Sequence, residues 1–580
     1  MKKLEKSQAT DSFDRLYHAW LGKITFGISP AAFMLAYMDW LTHLSNSPGK
    51  QAQLIQKAIR KTMRFTSYAA HASLDSKTPP CMEPLPQDKR FSGSAWQQWP
   101  YNILYHAFLH NQQWWYNATT GMHGVSPEHE RIVEFVVRQM LDAFSPSNSP
   151  LTNPEVLKAT LEQGGQNLIR GMLNFVEDTE RKMGGKPPVG TENFIPGEEV
   201  AITPGKVIFR NRLIELIQYT PTTKTVYKEP ILITPAWIMK YYILDLSPQN
   251  SMVKYLVDQG HTVYMISWKN PQADDRDLSM DDYCRLGVMA SLNIISKIHP
   301  EIQIHTLGYC LGGTLLSIVA ATMARDGDER LKSITLLATQ TDFTEVGELG
   351  LFIDSSQIAW LEDTMWEQGY LDTTQMAGAF SMLRSNDLIW SAMVHEYLLG
   401  ERRPMNDLMA WNADATRLPY RMHSGYLEHL YLNNDLAEGR YRIGEHTISL
   451  NDIRTPMFVV GTIKDHVAPW RSVFKVHQLA REIDVTFLLT SGGHNAGIIS
   501  EPGHPHRHYQ MATRKVPDKH VEPDVWLQRV PEQEGSWWSG WEDWLVSHST
   551  NRKTSPPTIG LDDKDSPILC DAPGTYVLQE

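Results

Sequence analysis

The stretch HTLGYCLGGTLLS (305–317) sets Cys310 in the frame G-x-C-x-G, directly after an apolar run. That frame matches a nucleophile elbow, a sharp strand-to-helix turn that strains its central residue and exposes the side chain to a cleft. Gly308 and Gly312 carry no Cβ, so strand and helix can close around Cys310. A thiol is a modest nucleophile until it becomes a thiolate, which requires a base and an acid to orient that base. Behind such an elbow the acid comes next in sequence, then the histidine. GTIKDHVAPW offers Asp465 just after the apolar run PMFVVG, and SGGHNAG offers His494 just after VTFLLT, between small residues that leave room for an imidazole. Asp342, in TQTDF after SITLLAT, is a rival acid because it too follows an apolar run. His466 competes with His494, but its adjacency to Asp465 makes mutual orientation awkward and suits a structural role.

Cysteine in place of the usual serine has its own chemical reason. Serine attacking a thioester gives an oxoester and loses the activation of the acyl group, whereas cysteine gives another thioester of nearly equal free energy. The elbow thiol therefore points to acyl transfer. The oxyanion formed on the way needs two backbone N–H donors. Leu311, after the nucleophile, supplies one; the loop PAWIMK after the run PILIT supplies the other, from Trp237 or Ile238.

Strands and helices must bring these residues to one edge. Residues 1 to about 185 read as helical: in SPEHERIVEFVVRQMLDAF, Ser126 can cap, Pro127 suits the first turn, and Ile132, Phe135, Val136 and Met140 recur at helical spacing. KATLEQGGQNLIRGMLNFVEDTERKM continues as helix after the loop SPSNSPLTNPE, and MGGKPPVG (183–190) marks a boundary. The expected domains are a helical 1–188 and a catalytic 189–580. In the second, KVIFRN and LIELIQY form a leading hairpin, followed by PILIT, TVYMISW, IQIHTLG, SITLLAT, PMFVVG and VTFLLT as strands. Helical stretches such as DDYCRLGVMASLNIISKI alternate with them, which predicts an α/β fold with a mostly parallel sheet covered on both faces. The long stretch from about 340 to 455 exceeds a normal connection and is expected to cap the site. Cys310, Asp465 and His494 then all stand beyond the carboxyl ends of strands, in the order of an α/β-hydrolase.

A formal charge of −12 over 580 residues argues against nucleic-acid binding. Four widely spaced cysteines, Cys81, Cys284, Cys310 and Cys570, suggest neither a disulfide framework nor a zinc site, and suit a reducing compartment. HPHRH (504–508) has no acidic or cysteine partners nearby and reads as a solvated loop, so no metal or cofactor is expected. The start MKKLEKSQATDSF has no apolar core of a signal peptide, and no stretch has the length to span a bilayer, which indicates a cytoplasmic protein.

The sequence resembles the polyhydroxyalkanoate synthases over most of its length: RFSGSAWQQWP and LTNPE, then KYYILDLSPQNSMVKYLVDQGHTVYMISWKNP, GYCLGGTLLS, TDFTEVGELGLFID, DHVAPW, SGGHNAG and GSWWSGWEDWL. The resemblance implies a polymerase of 3-hydroxyacyl-CoA that releases CoA, an α/β-hydrolase catalytic domain, homodimers and attachment to polyester granules. It makes Cys310 the carrier of the growing chain, His494 its base, and Asp465 the acid that supports His494 and helps activate the substrate hydroxyl. Length and the helical N-terminal region resemble the single-chain type, class I with short-chain substrates such as 3-hydroxybutyryl-CoA. Met239 in PAWIMKYY departs from the asparagine common there, which removes a side-chain donor but leaves the backbone ones. Two other readings remain open. One is a cysteine thioesterase of the same fold; the other is a granule-coat scaffold working through the aromatic segment QQWPYNILYHAFLHNQQWWY (97–116).

Overall fold

Proline and a polar cap open most helices of the N-terminal part. The computed structural model describes residues 14–15, 17–18, 20–21, 29–75, 77–373, 375–376, 378, 385–550, 552–561 and 567–580, and the start MKKLEKSQATDSF lies outside them. The chain forms two compact units. One comprises Lys23–Val189 with Met376–Pro404, the other Met1–Gly22, Gly190–Gln375 and Met405–Glu580.

The first unit contains helices α1 (Pro30–Ser45), α2 (Pro48–Ala72), α3 (Tyr101–Thr119), α4 (Pro127–Ala143), α5 (Pro154–Glu162) and α6 (Gln166–Met183). Ser126 accepts the N–H of His129 at 3.1 Å, and Asn153 accepts those of Glu155 and Val156 at 2.9 and 3.3 Å, so both ends are capped by side chains. The segment read as one helix after LTNPE is two, because Gly165 takes a φ of 83° and separates α5 from α6. The aromatic α3 packs Tyr105, Phe108 and Leu109 onto Phe91 and Trp96 in a core of its own. Met376–Pro404, within the long stretch before PMFVVG, joins this unit: Asn167 donates to the Leu398 carbonyl at 2.8 Å and Arg402 pairs with Asp178 at 2.9 Å.

The second unit is built on an eleven-stranded sheet. In chain order its strands are β1 (Gly205–Arg210), β2 (Ile214–Tyr219), β3 (Ile231–Thr234), β4 (Val263–Trp268), β5 (Ile304–Tyr309), β6 (Leu331–Leu337), β7 (Met457–Thr462), β8 (Val485–Thr490), β9 (His508–Arg514), β10 (Glu532–Glu534) and β11 (Cys570–Asp571). They lie in the order β10-β9-β8-β7-β6-β5-β3-β4-β2-β1-β11. The six from β8 to β4 are parallel, and antiparallel strands extend the sheet on both sides. Every residue of β3, β4, β5, β7 and β8 is buried, as expected of parallel strands covered on both faces, and this is why they read as unbroken apolar runs.

The connections are helical: α7 (Met252–Gln259) between β3 and β4, α8 (Ala290–Ile298) before β5, and α9 (Leu311–Asp326) between β5 and β6. This is the α/β-hydrolase fold, preceded by a helical region. Helix α10 (Trp537–His548) carries the C-terminal tryptophans, with Trp537, Trp538 and Trp541 at most 1% exposed.

Candidate active site

Register brings four strand ends side by side. Tyr309 of β5 pairs with Leu337 of β6, Leu337 with Val460 of β7, and Thr462 of β7 with Thr490 of β8. Cys310 follows the first of these strands directly, Asp465 stands three residues beyond the third, and His494 four beyond the fourth.

Cys310 has φ 52° and ψ −120°, a conformation that a residue with a Cβ rarely adopts. Its surroundings hold it there. The Cys310 N–H donates to the Leu337 carbonyl at 2.9 Å, and its own carbonyl accepts from Gly313 and Thr314 at 2.9 and 3.2 Å as α9 begins. A Cβ on Gly308 would fall 2.4 Å from the Gly313 Cα, and one on Gly312 would fall 2.2 Å from the Thr234 carbonyl oxygen. Both glycines are therefore required by close approach of backbone to backbone. The thiol is half-buried at the end of the turn.

Asp465 and His494 meet. His494 Nδ1 lies 2.8 Å from Asp465 Oδ2, with the aspartate side chain fully buried and the imidazole 10% exposed. The other aspartate oxygen accepts the N–H groups of Val467 and Ala468 at 2.9 and 2.8 Å, and Thr462 donates to Oδ2 at 3.1 Å. Burial alone would raise this carboxyl; the charge and hydrogen bond of His494, with the two backbone donors, outweigh it and hold Asp465 below the ordinary aspartate value. Burial would likewise lower His494. The Asp465 carboxylate first, and then its pairing with Cys310, raise it well above the ordinary histidine value, and the imidazole is within hydrogen-bonding reach of the Cys310 sulfur. Since Nδ1 is committed to Asp465, Nε2 is the nitrogen left for the thiol.

Asp342 is engaged elsewhere: it accepts the Thr344 N–H at 2.9 Å and lies 3.6 Å from Lys475. His494, not His466, is the histidine hydrogen-bonded to Asp465. HPHRH is not entirely loop, because His508 opens β9. Among the described residues no cluster of three or more His, Cys, Asp or Glu side chains could hold a metal ion, and no helix is long and apolar enough to cross a membrane.

The loop after β3 is held as a short ladder that sequence reading missed. Met239 bridges Ala415, the Thr416 N–H donates to the Ile238 carbonyl at 3.0 Å, Lys240 N–H donates to Asp414, and the Thr416 hydroxyl donates to the Trp237 carbonyl. Those contacts use carbonyls, and among the described residues the N–H groups of Trp237 and Ile238 have no acceptor. Leu311 opens α9, where an N–H has no partner within the helix. Trp237 is buried while Ile238 and Leu311 are half-buried.

Two tyrosines also escaped the sequence reading. Tyr426 caps a π-helical turn (Leu427–Leu432) and Tyr431 lies within it, and the five-residue closure puts both on one face. Their rings lie 5.8 Å apart, with Trp237 6.3 Å from Tyr426 and Phe343 4.8 Å from Tyr431. Burial above all pushes both phenols well above their ordinary value, so they remain neutral O–H groups near the thiol. Spacing of five residues has no periodicity that a helical reading would detect.

Behind the site, α10 braces the histidine loop. Trp537 and Trp538 donate their indole N–H groups to the carbonyls of Gly497 and Ile498, both at 3.0 Å.

Residues 8–50 match the family described as poly-beta-hydroxybutyrate polymerase N terminal, residues 87–256 the poly-beta-hydroxybutyrate polymerase (PhaC) N-terminus, and residues 229–498 the alpha/beta hydrolase fold. A poly(3-hydroxyalkanoate) polymerase of Methylorubrum extorquens is 42% identical over 507 residues, covering 86% of this chain and 82% of the relative. The poly(3-hydroxyalkanoate) polymerase subunit PhaC of Cupriavidus necator is 34% identical over 555 residues, covering 94% and 91%. Among solved structures, a monoacylglycerol lipase of Paleococcus ferrophilus aligns with 58% of this chain and 99% of its own at 12% identity, with a TM-score of 0.32.

Proposed function

The chain belongs to the poly(3-hydroxyalkanoate) polymerase family, and from that premise we propose that Cys310 carries the growing polyester, with His494 as its base and Asp465 as the supporting acid. The enzyme is an acyltransferase that polymerises hydroxyalkanoate units. In the first step His494 Nε2 takes the thiol proton and the Cys310 thiolate attacks the thioester carbonyl of 3-hydroxyacyl-CoA. The oxyanion is met by the N–H of Leu311 and that of Trp237 or Ile238. Collapse expels the CoA thiolate, which takes the proton from His494, and the acyl group stays on Cys310 as a thioester. The 3-hydroxyl of another 3-hydroxyacyl-CoA, losing its proton to His494 with Asp465 in support, then attacks that thioester; the Cys310–acyl bond breaks, the departing thiolate takes the proton back from His494, and the lengthened chain, now on the incoming unit's CoA, returns to Cys310 by a second attack of the thiol that expels CoA.

One observation carries this reading: a cysteine in a strained elbow, within reach of an imidazole whose far nitrogen is 2.8 Å from a buried carboxylate. The preferred substrate is 3-hydroxybutyryl-CoA, the working unit a homodimer, and the working place the polyester granule surface in the cytoplasm. The test is Cys310→Ala. It leaves a folded protein that neither releases CoA nor makes polymer, because no other group can take the acyl chain; retained polymer synthesis rejects Cys310 as the nucleophile.

A further inference from the structure

The residues adjoining the nucleophile and the histidine are bonded to each other. Tyr309, immediately before Cys310, is 1% exposed and donates its hydroxyl to Asn495 Oδ1 at 2.6 Å; Asn495 immediately follows His494. The Asn495 amide in turn donates to Asn412 Oδ1 at 3.1 Å, at the end of the helix Asp407–Asn412. The Tyr309 ring also lies against the imidazole, with centroids 5.7 Å apart and an interplanar angle of 36°.

These contacts answer a mechanical need. Asp465 fixes one ring nitrogen of His494, and a ring held at one atom can still swing about that bond. Trp537 and Trp538 hold the loop further on, at Gly497 and Ile498, and leave the residues beside His494 to other restraints. The elbow is tied to β6 through Leu337, and among the described residues no backbone hydrogen bond joins it to the histidine loop. The Tyr309–Asn495 bond joins the two loops at the positions nearest the reacting atoms. We propose that Tyr309 and Asn495 are positioning residues that clamp the Cys310 turn to the His494 loop for proton transfer, and that Asn412 anchors the clamp. The proposal rests on the reading that His494 serves Cys310.

The test uses full-length protein with Tyr309→Phe, Asn495→Ala and the double variant, in two assays. With 3-hydroxybutyryl-CoA, each single variant lowers kcat by about 10- to 100-fold, the range expected when reacting groups are displaced on the ångström scale, while KM stays within about twofold. Iodoacetamide alkylation of Cys310, followed by peptide mass spectrometry, slows in parallel; it needs no acyl-CoA, so it judges the clamp even if the polymerase reading fails. The double variant is no more than about twofold worse than the poorer single one, since both cut one bond. Wild-type alkylation in Tyr309→Phe, or losses that multiply in the double variant, overturn the clamp. Should Tyr309→Phe lose its fold by circular dichroism, Asn412→Ala decides: cutting only the exposed outer bond lowers kcat by about threefold or more at unchanged KM, and wild-type kcat overturns the proposal.

Discussion

Asp465 Oδ2 stands 2.8 Å from His494 Nδ1 while the opposite carboxylate oxygen is fixed by the N–H groups of Val467 and Ala468, so the aspartate can present its charge to the imidazole in one orientation only. Asp465→Asn keeps the shape and loses the charge. The expected fall in turnover is about 10³- to 10⁴-fold, the scale seen when the acid of such a triad becomes an amide. In a single-turnover assay with labelled substrate, some acylation of Cys310 survives and chain extension suffers more. Asp342→Asn, whose carboxylate faces Thr344 and Lys475, stays near wild type; the reverse ranking identifies Asp342 as the acid.

The same pair gives stability a pH signature. His494 is raised above its unfolded value, so its contribution is complete below about pH 6.5 and is lost as pH climbs through the folded value. Asp465 is depressed, so its contribution is complete above about pH 3.9 and is lost as pH falls through the folded value. The difference in melting temperature between wild type and Asp465→Asn is therefore widest at about pH 5 to 6 and narrows in alkaline buffer. A gap that widens steadily above pH 8 contradicts the assigned charges.

The elbow glycines predict a sharp contrast between two alanine substitutions. Gly312→Ala would place a methyl 2.2 Å from one backbone carbonyl oxygen and 2.5 Å from the next, those of Thr234 and Pro235. Relief requires moving β3 or α9, at a cost of about 1–3 kcal/mol or more, and displaces Cys310 as well. Gly425→Ala has as its nearest neighbour the His429 ring at 3.9 Å and is tolerated. Thermal melts and turnover for the two variants check this; equal behaviour removes the steric account of the elbow.

What the sequence made legible follows from how each feature is built. The central strands are buried on both faces and so appear as apolar runs, and the elbow is legible because its two glycines are demanded by backbone contact. Asp465 and His494 are readable because each follows such a strand by a few residues. Strand β9, HYQMATR, was missed because it lies outside the parallel core with most of its residues partly exposed, and so carries no apolar run. The two-residue β11 is too short to leave a pattern. Bonds between distant residues were beyond sequence reading altogether: Tyr309 and Asn495 are 186 positions apart, and the indoles of GSWWSGWEDWL could be noted as a motif without revealing that they hold Gly497 and Ile498.

The central claim is that the acyl group on Cys310 is passed to another hydroxyl and not to water, and product analysis with 3-hydroxybutyryl-CoA tests it most directly. CoA release alone cannot discriminate, since a cysteine thioesterase with the same three residues also frees CoA, and a scaffold would free none. The full-length protein is expected to yield insoluble ester-linked polymer, little free 3-hydroxybutyrate, and a lag while the first chains are primed. Stoichiometric free acid with no polymer would contradict the account.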